Sequence, residues 1–307
     1  MDGFSTLANA MSHHLKEDKI PKFASFGAIH LNITNLEKCK EFYTKIVGMK
    51  IRKTEGQVAE LGTDTTTLLV LHETAKKKFQ KGYSGIYHFA IHTPNESEFA
   101  SMVNRVLQHK YPCSPTDHTM SKSLYLDDPD GINVEFTLET PERFKRVVTD
   151  RGIGMEGTDG VIRSASSQLD VEEVFTHLKD KNTDRLIHPD TYMGHIHLYA
   201  NNVAESNAFY KKIGFIEFNY LPQFMYADVG AGGAYEHRIA MNSWHGQNRP
   251  MAPSDSAGMR YFHIVFNDKA KLDQALINVP NHEAKDDGHW FKDPTGNSVL
   301  LTYEKKA

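Results

Sequence analysis

The chain has 307 residues, 39% of them hydrophobic and 24% charged, with a formal net charge of −4. That balance excludes the basic surface of a nucleic-acid binder and the composition of a disordered chain. No apolar run approaches the ~20 residues of a bilayer span, and two cysteines make no disulfide framework, so a soluble protein of the reducing cytoplasm is expected.

In chain order, residues 1–23 read as a flexible lead-in without the apolar stretch of a signal peptide. A first unit opens on Gly27-Ala28-Ile29-His30-Leu31-Asn32-Ile33, followed by a helical stretch holding Phe42-Tyr43 and then Gly48. A second opens on Ile86-Tyr87-His88-Phe89-Ala90-Ile91 and ends past the turn Asp128-Pro129-Asp130-Gly131. Residues 141–190 break the pattern and read as a connector with a short helical run near Val171–Leu178. A third unit opens on Gly194-His195-Ile196-His197-Leu198 and repeats the first, with Phe209-Tyr210 and Gly214. The fourth opens on Tyr261-Phe262-His263-Ile264-Val265-Phe266, and its turn, Asp293-Pro294-Thr295-Gly296, matches that of the second. Asn35 and Asn202 are placed as helix N-caps. Each unit reads as strand, helix and further strands, too small to bury both faces of its own sheet, so units must pair. The expected division is 24–140 and 191–307, two units each.

The densest signal lies between Asp117 and Phe136. It reads as two strands joined by the Asp-Pro-Asp-Gly turn, with Tyr125 on the first and Glu135 on the second. Alternation puts Glu135 on the opposite face from Val134 and Phe136. A carboxylate on an apolar strand needs a positive partner, and with His88 one strand-helix unit upstream a metal is the obvious one. Single histidines such as His30 and His263 are more often hydrogen-bonded core residues than ligands, and are read so unless partnered. The Asp127–Asp130 acids lack the spaced oxygens of a calcium loop.

These repeats resemble the vicinal oxygen chelate superfamily of glyoxalases, bleomycin-resistance proteins and type I extradiol dioxygenases, and within it the catechol-2,3-dioxygenase-like group. The resemblance rests on Gly85–Ala90, Asp117–Phe136, Gly194–Leu198 and the stretch from Gly232-Gly233 through His237 to Trp244. It implies an α+β fold of four βαβββ modules paired into two open, cup-shaped sheets. It further implies a ring-cleaving oxidoreductase that uses Fe(II), with Mn(II) as the alternative ion, on a small aromatic diol and O2. No nucleic acid or membrane is implied as a partner, and a homo-oligomer is left open. Carried over residue by residue, His88 and Glu135 are metal ligands, with His197 preferred over His30 as the third, a choice that requires units to pair across the two halves. His237, expected mid-strand, is the candidate acid/base, and Tyr125 and His118 stand near the substrate. His72, the counterpart of His237 in the first unit, is expected to leave its cup at a strand end. Leu300 falls opposite Glu135 in the fourth unit, so one metal per chain is expected. The rivals are a glyoxalase-type isomerase or lyase, which wants a second carboxylate, and a non-catalytic binding or resistance protein.

Overall fold

Four stretches of the chain fold as a strand, a helix and three more strands. The computed structural model describes residues 20–150 and 152–304. The first module contains β1 (Ala24–Ile33), α1 (Leu36–Glu41), β2 (Lys50–Glu55), β3 (Val58–Gly62) and β4 (Thr67–Glu73). The second contains β5 (Gly85–His92), α2 (Glu96–Gln108), β6 (Ser114–Asp117), β7 (Ser121–Asp127) and β8 (Asn133–Glu139). The connector contributes β9 (Phe144–Val148), β10 (Gly154–Gly157), β11 (Ile162–Ser164), β12 (Ser167–Gln168) and α3 (Val171–Thr176). The third module is β13 (Tyr192–Tyr199), α4 (Val203–Lys212), β14 (Ile216–Leu221), β15 (Tyr226–Gly230) and β16 (Ile239–Asn242). The fourth is β17 (Gly258–Phe266), α5 (Lys269–Asn278), β18 (Glu283–Lys285), β19 (Gly288–Lys292) and β20 (Ser298–Tyr303).

The helices start where the sequence places them. The Asn35 side chain accepts from the Lys38 N–H, and Asn202 from Glu205; Asn95 and Asp268 cap the other two module helices in the same way. The Asp-Pro turns are closed by their first residue. Asp128 Oδ1 accepts from the backbone N–H groups of Asp130 and Ile132, and Asp293 Oδ1 from those of Gly296 and Asn297. Each aspartate also takes a tyrosine hydroxyl from the preceding module, Tyr43 to Asp128 at 3.1 Å and Tyr210 to Asp293 at 2.8 Å. The Phe-Tyr pairs therefore do more than pack: they tie consecutive modules together.

The sheets do not follow the sequence division at 24–140 and 191–307. One sheet runs β18-β19-β20-β17-β1-β4-β3-β2, joining the first module to the fourth. The other runs β12-β6-β7-β8-β5-β13-β16-β15-β14, joining the second to the third. In each, two first strands meet antiparallel at the centre, β1 with β17 and β5 with β13. Alternation sends Ile29, Leu31, Phe89, Ile91, Ile196, Leu198, Phe262 and Ile264 into one apolar cluster, where each is at most 1% exposed. The opposite faces are left for polar side chains.

The connector is not a spacer. Its strands β9–β11 form a small sheet of their own, and β12 extends the larger sheet at β6. The lead-in falls outside the described residues as far as position 19. Within the described part, Phe23 is already core, 2% exposed, with its N–H on the Ala231 carbonyl. No helix among the described residues is long and apolar enough to cross a membrane.

Candidate functional site

Glu135 sits in the middle of the polar face of the nine-stranded sheet, 1% exposed. The register explains what surrounds it. On β5, Ala90 pairs with Glu135 on one side and with His195 on the other. A methyl group between them lets the carboxylate and the imidazole meet across the strand. Glu135 Oε2 lies 3.0 Å from His195 Nε2 and 3.0 Å from His88 Nε2. Its other oxygen, Oε1, accepts from the Ser123 hydroxyl at 2.6 Å and the Thr137 hydroxyl at 2.9 Å. The carboxylate is thus locked with one oxygen presented to two imidazoles.

These three are a buried group whose ligand atoms lie within 4.8 Å of one another. Both ring nitrogens of His88 are buried without a hydrogen-bond partner among the described residues, because the contact to Glu135 has the distance but not the angle of a hydrogen bond. Burial holds the His195 imidazole well below its ordinary titration range. Burial alone would raise the Glu135 carboxyl, but the His195 and His88 imidazoles hold it well below the usual carboxylate range. Two imidazoles and one carboxylate oxygen are the donor set of a divalent cation. The residues present fit a metal.

The third member of the group is His195, where the sequence points to His197. The reason is visible in β16. Asn242 Oδ1 takes the Trp244 N–H at 3.0 Å, which turns its amide Nδ2 toward His197 Nε2 at 2.8 Å. His197 is committed to that bond and lies beside the triad, its ring 4.8 Å from that of His88. His30 is further away still, in the other sheet. A sequence signal for His195 existed. His88 precedes its helix cap Asn95 by the same interval that separates His195 from Asn202. His30 and His197 share a shorter interval to Asn35 and Asn202.

The structure places His118 and Tyr125 together above the triad. Tyr125 pairs with Glu135 across β7 and β8, and its ring is 5.4 Å from that of His88. His118 Nδ1 lies 2.5 Å from the Ala165 carbonyl, which can only accept, so Nδ1 carries the proton. His118 Nε2 is then the acceptor for the Tyr125 hydroxyl at 2.9 Å. Burial lowers the His118 imidazole and pushes the Tyr125 phenol well up. Ala165 belongs to the connector, so that segment sets the tautomer of a site residue.

His237 is in the loop just before β16, not mid-strand, yet it reaches the same cup, its ring 4.8 Å from that of His195. Its Nδ1 donates to Asp228 Oδ2 at 2.7 Å, and Asp228 also accepts from Tyr226 at 2.8 Å and Asn219 at 2.9 Å. The aspartate, 1% exposed, fixes the ring by its Nδ1 and leaves Nε2 outside that bond. Asp228 carried no motif and was missed.

Behind the triad lies a second polar chain that sequence reasoning also missed. His195 Nδ1 is 2.8 Å from His92 Nε2, and His92 Nδ1 is 2.8 Å from Glu139 Oε1. Arg238 and Tyr192 donate to the same Glu139 oxygen at 2.6 and 2.7 Å. Burial lowers His92, while His92 and Arg238 outweigh burial to hold Glu139 well below the usual carboxylate range.

The cup opens into a cavity of ≈ 660 Å³, within the ~300–1,000 Å³ of small-molecule sites. Its mouth is aromatic, with Tyr87 stacked on Tyr199 at 4.6 Å and Trp244 on Tyr226 at 6.0 Å. Val147, Ile153 and Met155 of the connector form part of the wall.

The chain has recognisable relatives. Residues 25–136 match the family model of the Glyoxalase/Bleomycin resistance protein/Dioxygenase superfamily. More particularly, the chain is 29% identical over 283 residues to the catechol-2,3-dioxygenase of Bacillus subtilis (strain 168), covering 89% of this chain and 95% of the relative. A lactoylglutathione lyase of Neisseria meningitidis is 28% identical over 120 residues, 34% of this chain and 84% of that protein. Among solved structures, a provisionally assigned dioxygenase from Bacillus subtilis subsp. subtilis str. 168 superposes with a TM-score of 0.60 at 10% identity, covering 93% of this chain and 87% of that one. A glyoxalase I variant from Zea mays gives 0.52 at 15% identity, covering 91% and 94%. At such identities these two bear on the fold, which is the vicinal oxygen chelate arrangement.

Proposed function

We propose that this protein is a metal-dependent extradiol dioxygenase that opens catechol-like rings beside the diol and incorporates both atoms of O2. The observation that carries the reading is the buried Glu135 oxygen facing two imidazole nitrogens at 3.0 Å, with the His88 nitrogens otherwise unpartnered. His88, His195 and Glu135 would hold Fe(II) or Mn(II). Three protein ligands of this type leave positions for a chelating diol and O2, the donor set of non-haem oxygenases. When bound, the ion acidifies the diol and allows charge to pass from the ring to oxygen, which no side chain can do.

The chain's own residues do the rest. His237, oriented by Asp228, takes the second hydroxyl proton of the diol at Nε2 and returns it as the ring opens. Tyr125, with its hydroxyl poised on His118 Nε2, hydrogen-bonds the substrate oxygens from the other side of the cup. The aromatic rim and the connector wall exclude water and hold the ring plane. Similarity to the B. subtilis catechol-2,3-dioxygenase over most of the chain supports the same reading. The glyoxalase alternative needs a further carboxylate in the ligand set, and only one belongs to this group.

The test is oxygen uptake after anaerobic Fe(II) loading. Catechol should consume O2 in equimolar amount and yield a ring-opened semialdehyde. Iron-loaded protein that takes up no oxygen with any of a panel of substituted catechols, or that isomerises a glutathione hemithioacetal instead, would overturn the proposal.

A further inference from the structure

The donor set explains why His195 must present Nε2 to Glu135, but not what makes that nitrogen the unprotonated one. The buried chain has a carboxylate at each end, and both can only accept. Glu135 Oε2 is 3.0 Å from His195 Nε2, His195 Nδ1 is 2.8 Å from His92 Nε2, and His92 Nδ1 is 2.8 Å from Glu139 Oε1. A cation held at His195 Nε2 leaves the proton of that ring on Nδ1. That proton is donated to His92 Nε2, which directs the His92 Nδ1 proton to Glu139.

We infer that Glu139 and His92 are positioning residues that act in series to fix the tautomer and the ring plane of His195 for metal binding. This inference rests on the metal reading of the site. Metal-bound histidines almost always donate their second nitrogen to a carboxylate or carbonyl. Here the carboxylate acts through an intervening imidazole, which transmits its direction. The chain is built for the purpose. His92 is 0% exposed, and Arg238 and Tyr192 pin the Glu139 oxygen that receives it. Gly194 completes the cradle: a Cβ there would come within 2.0 Å of the His92 ring, so only glycine leaves room for the imidazole at this point. Arg238 Nη1 also donates to the Gly194 carbonyl at 3.1 Å, tying the strand bearing His195 to the same network.

Two measurements test it on the full-length protein. In Zn(II)-loaded protein, ¹⁵N NMR of labelled histidines at about pH 8, above the ordinary imidazole range, should show His195 and His92 both protonated at Nδ1 and not at Nε2. A proton on His92 Nε2, or none on His195 Nδ1, would overturn the inference. Second, Co(II) affinity by chelator competition should fall roughly 10–100-fold in His92→Leu, with displaced ligand-field bands. His92→Gln, whose amide oxygen can still accept from His195, should recover most of both. Unchanged affinity and bands in a folded His92→Leu would show the chain to be packing only. Failure of wild type to bind Co(II) would overturn the metal reading itself, whereas wild-type binding that His92→Leu leaves unchanged overturns only this inference.

Discussion

The two sheets of this protein share one topology and one register, yet only one of them carries the ligand set. In the nine-stranded sheet His197 pairs with His88 and Ala90 with Glu135; in the eight-stranded sheet the same positions hold His30 with Tyr261 and His263 with Leu300. Counted back from the helix caps, Ala28 stands where His195 does and Tyr261 where His88 does. So all three donors are replaced, by a methyl, a phenol and an isobutyl group. The histidines of the second cup have other partners. His30 bonds His72 at 3.0 Å and Tyr261 at 2.8 Å, and His263 bonds Thr302 at 2.7 Å. His72 does not leave its cup at the strand end but stacks on His30. Histidine content therefore does not mark a site in this fold; the interval to the helix cap and the opposing carboxylate do.

The largest effect is expected from making the first cup like the second. Glu135→Leu copies Leu300 and removes the only carboxylate of the group. Bound iron should fall to near zero by elemental analysis after dialysis, and ring cleavage with it. Retention of wild-type iron would dissolve the distinction drawn between the sheets.

The choice within the strand is nearly as sharp. His195→Ala should lose its metal, whereas His197→Ala, which sacrifices only the Asn242 contact, should keep it. Reversed metal contents would restore His197 as the ligand. The same analysis on fully loaded and dialysed wild type should give one tightly held ion per chain, since Ala28 and Leu300 offer no donor atom and the Glu96, Glu173 and His177 group is open to solvent.

A smaller loss is expected for His237→Phe. Iron and catechol binding should survive, while turnover drops roughly 10²- to 10⁴-fold, the usual contribution of a general acid or base. Metal loss in this variant would make His237 a ligand, and unchanged turnover would reduce it to packing.

The mildest effect concerns pH and the second cup. Burial lowers His30 to about 3 and His263 to about 4. Unfolded, each would titrate near the ordinary value of about 6.5. Between those values the unfolded chain binds more protons than the folded one, so the stability is complete above about pH 6.5 and lost as pH falls through the window. Melting of metal-free protein should drop by several degrees between about pH 7 and 5. The buried histidines of the first cup add to the trend, and His30→Phe should make it shallower. An identical slope would mean that the second-cup histidines stay protonated in the fold.

Much of this molecule was legible in the chain. The repeats, the asparagine caps, the Asp-Pro turns and the Tyr125–Glu135 pair all follow from rules that act within a few residues or across one hairpin. His88 and Glu135 were legible for the same reason, being parts of one module whose register is fixed by a single parallel pairing. Leu300 could likewise be set against Glu135 by aligning two turns. What only the tertiary structure decided is what crosses between modules. Cross-half pairing brought β13 against β5, and that register, with its irregularity at Gly194, set His195 rather than His197 beside the carboxylate. Asp228, Glu139 and His92 were invisible because their key partners come from outside their own strands and, for Glu139 and His92, also from another module. The connector's part in the site was hidden because short strands and a carbonyl at Ala165 have no sequence signature. Periodicity fixes which face of a strand a residue occupies; only the pairing of distant strands fixes which residue it meets there.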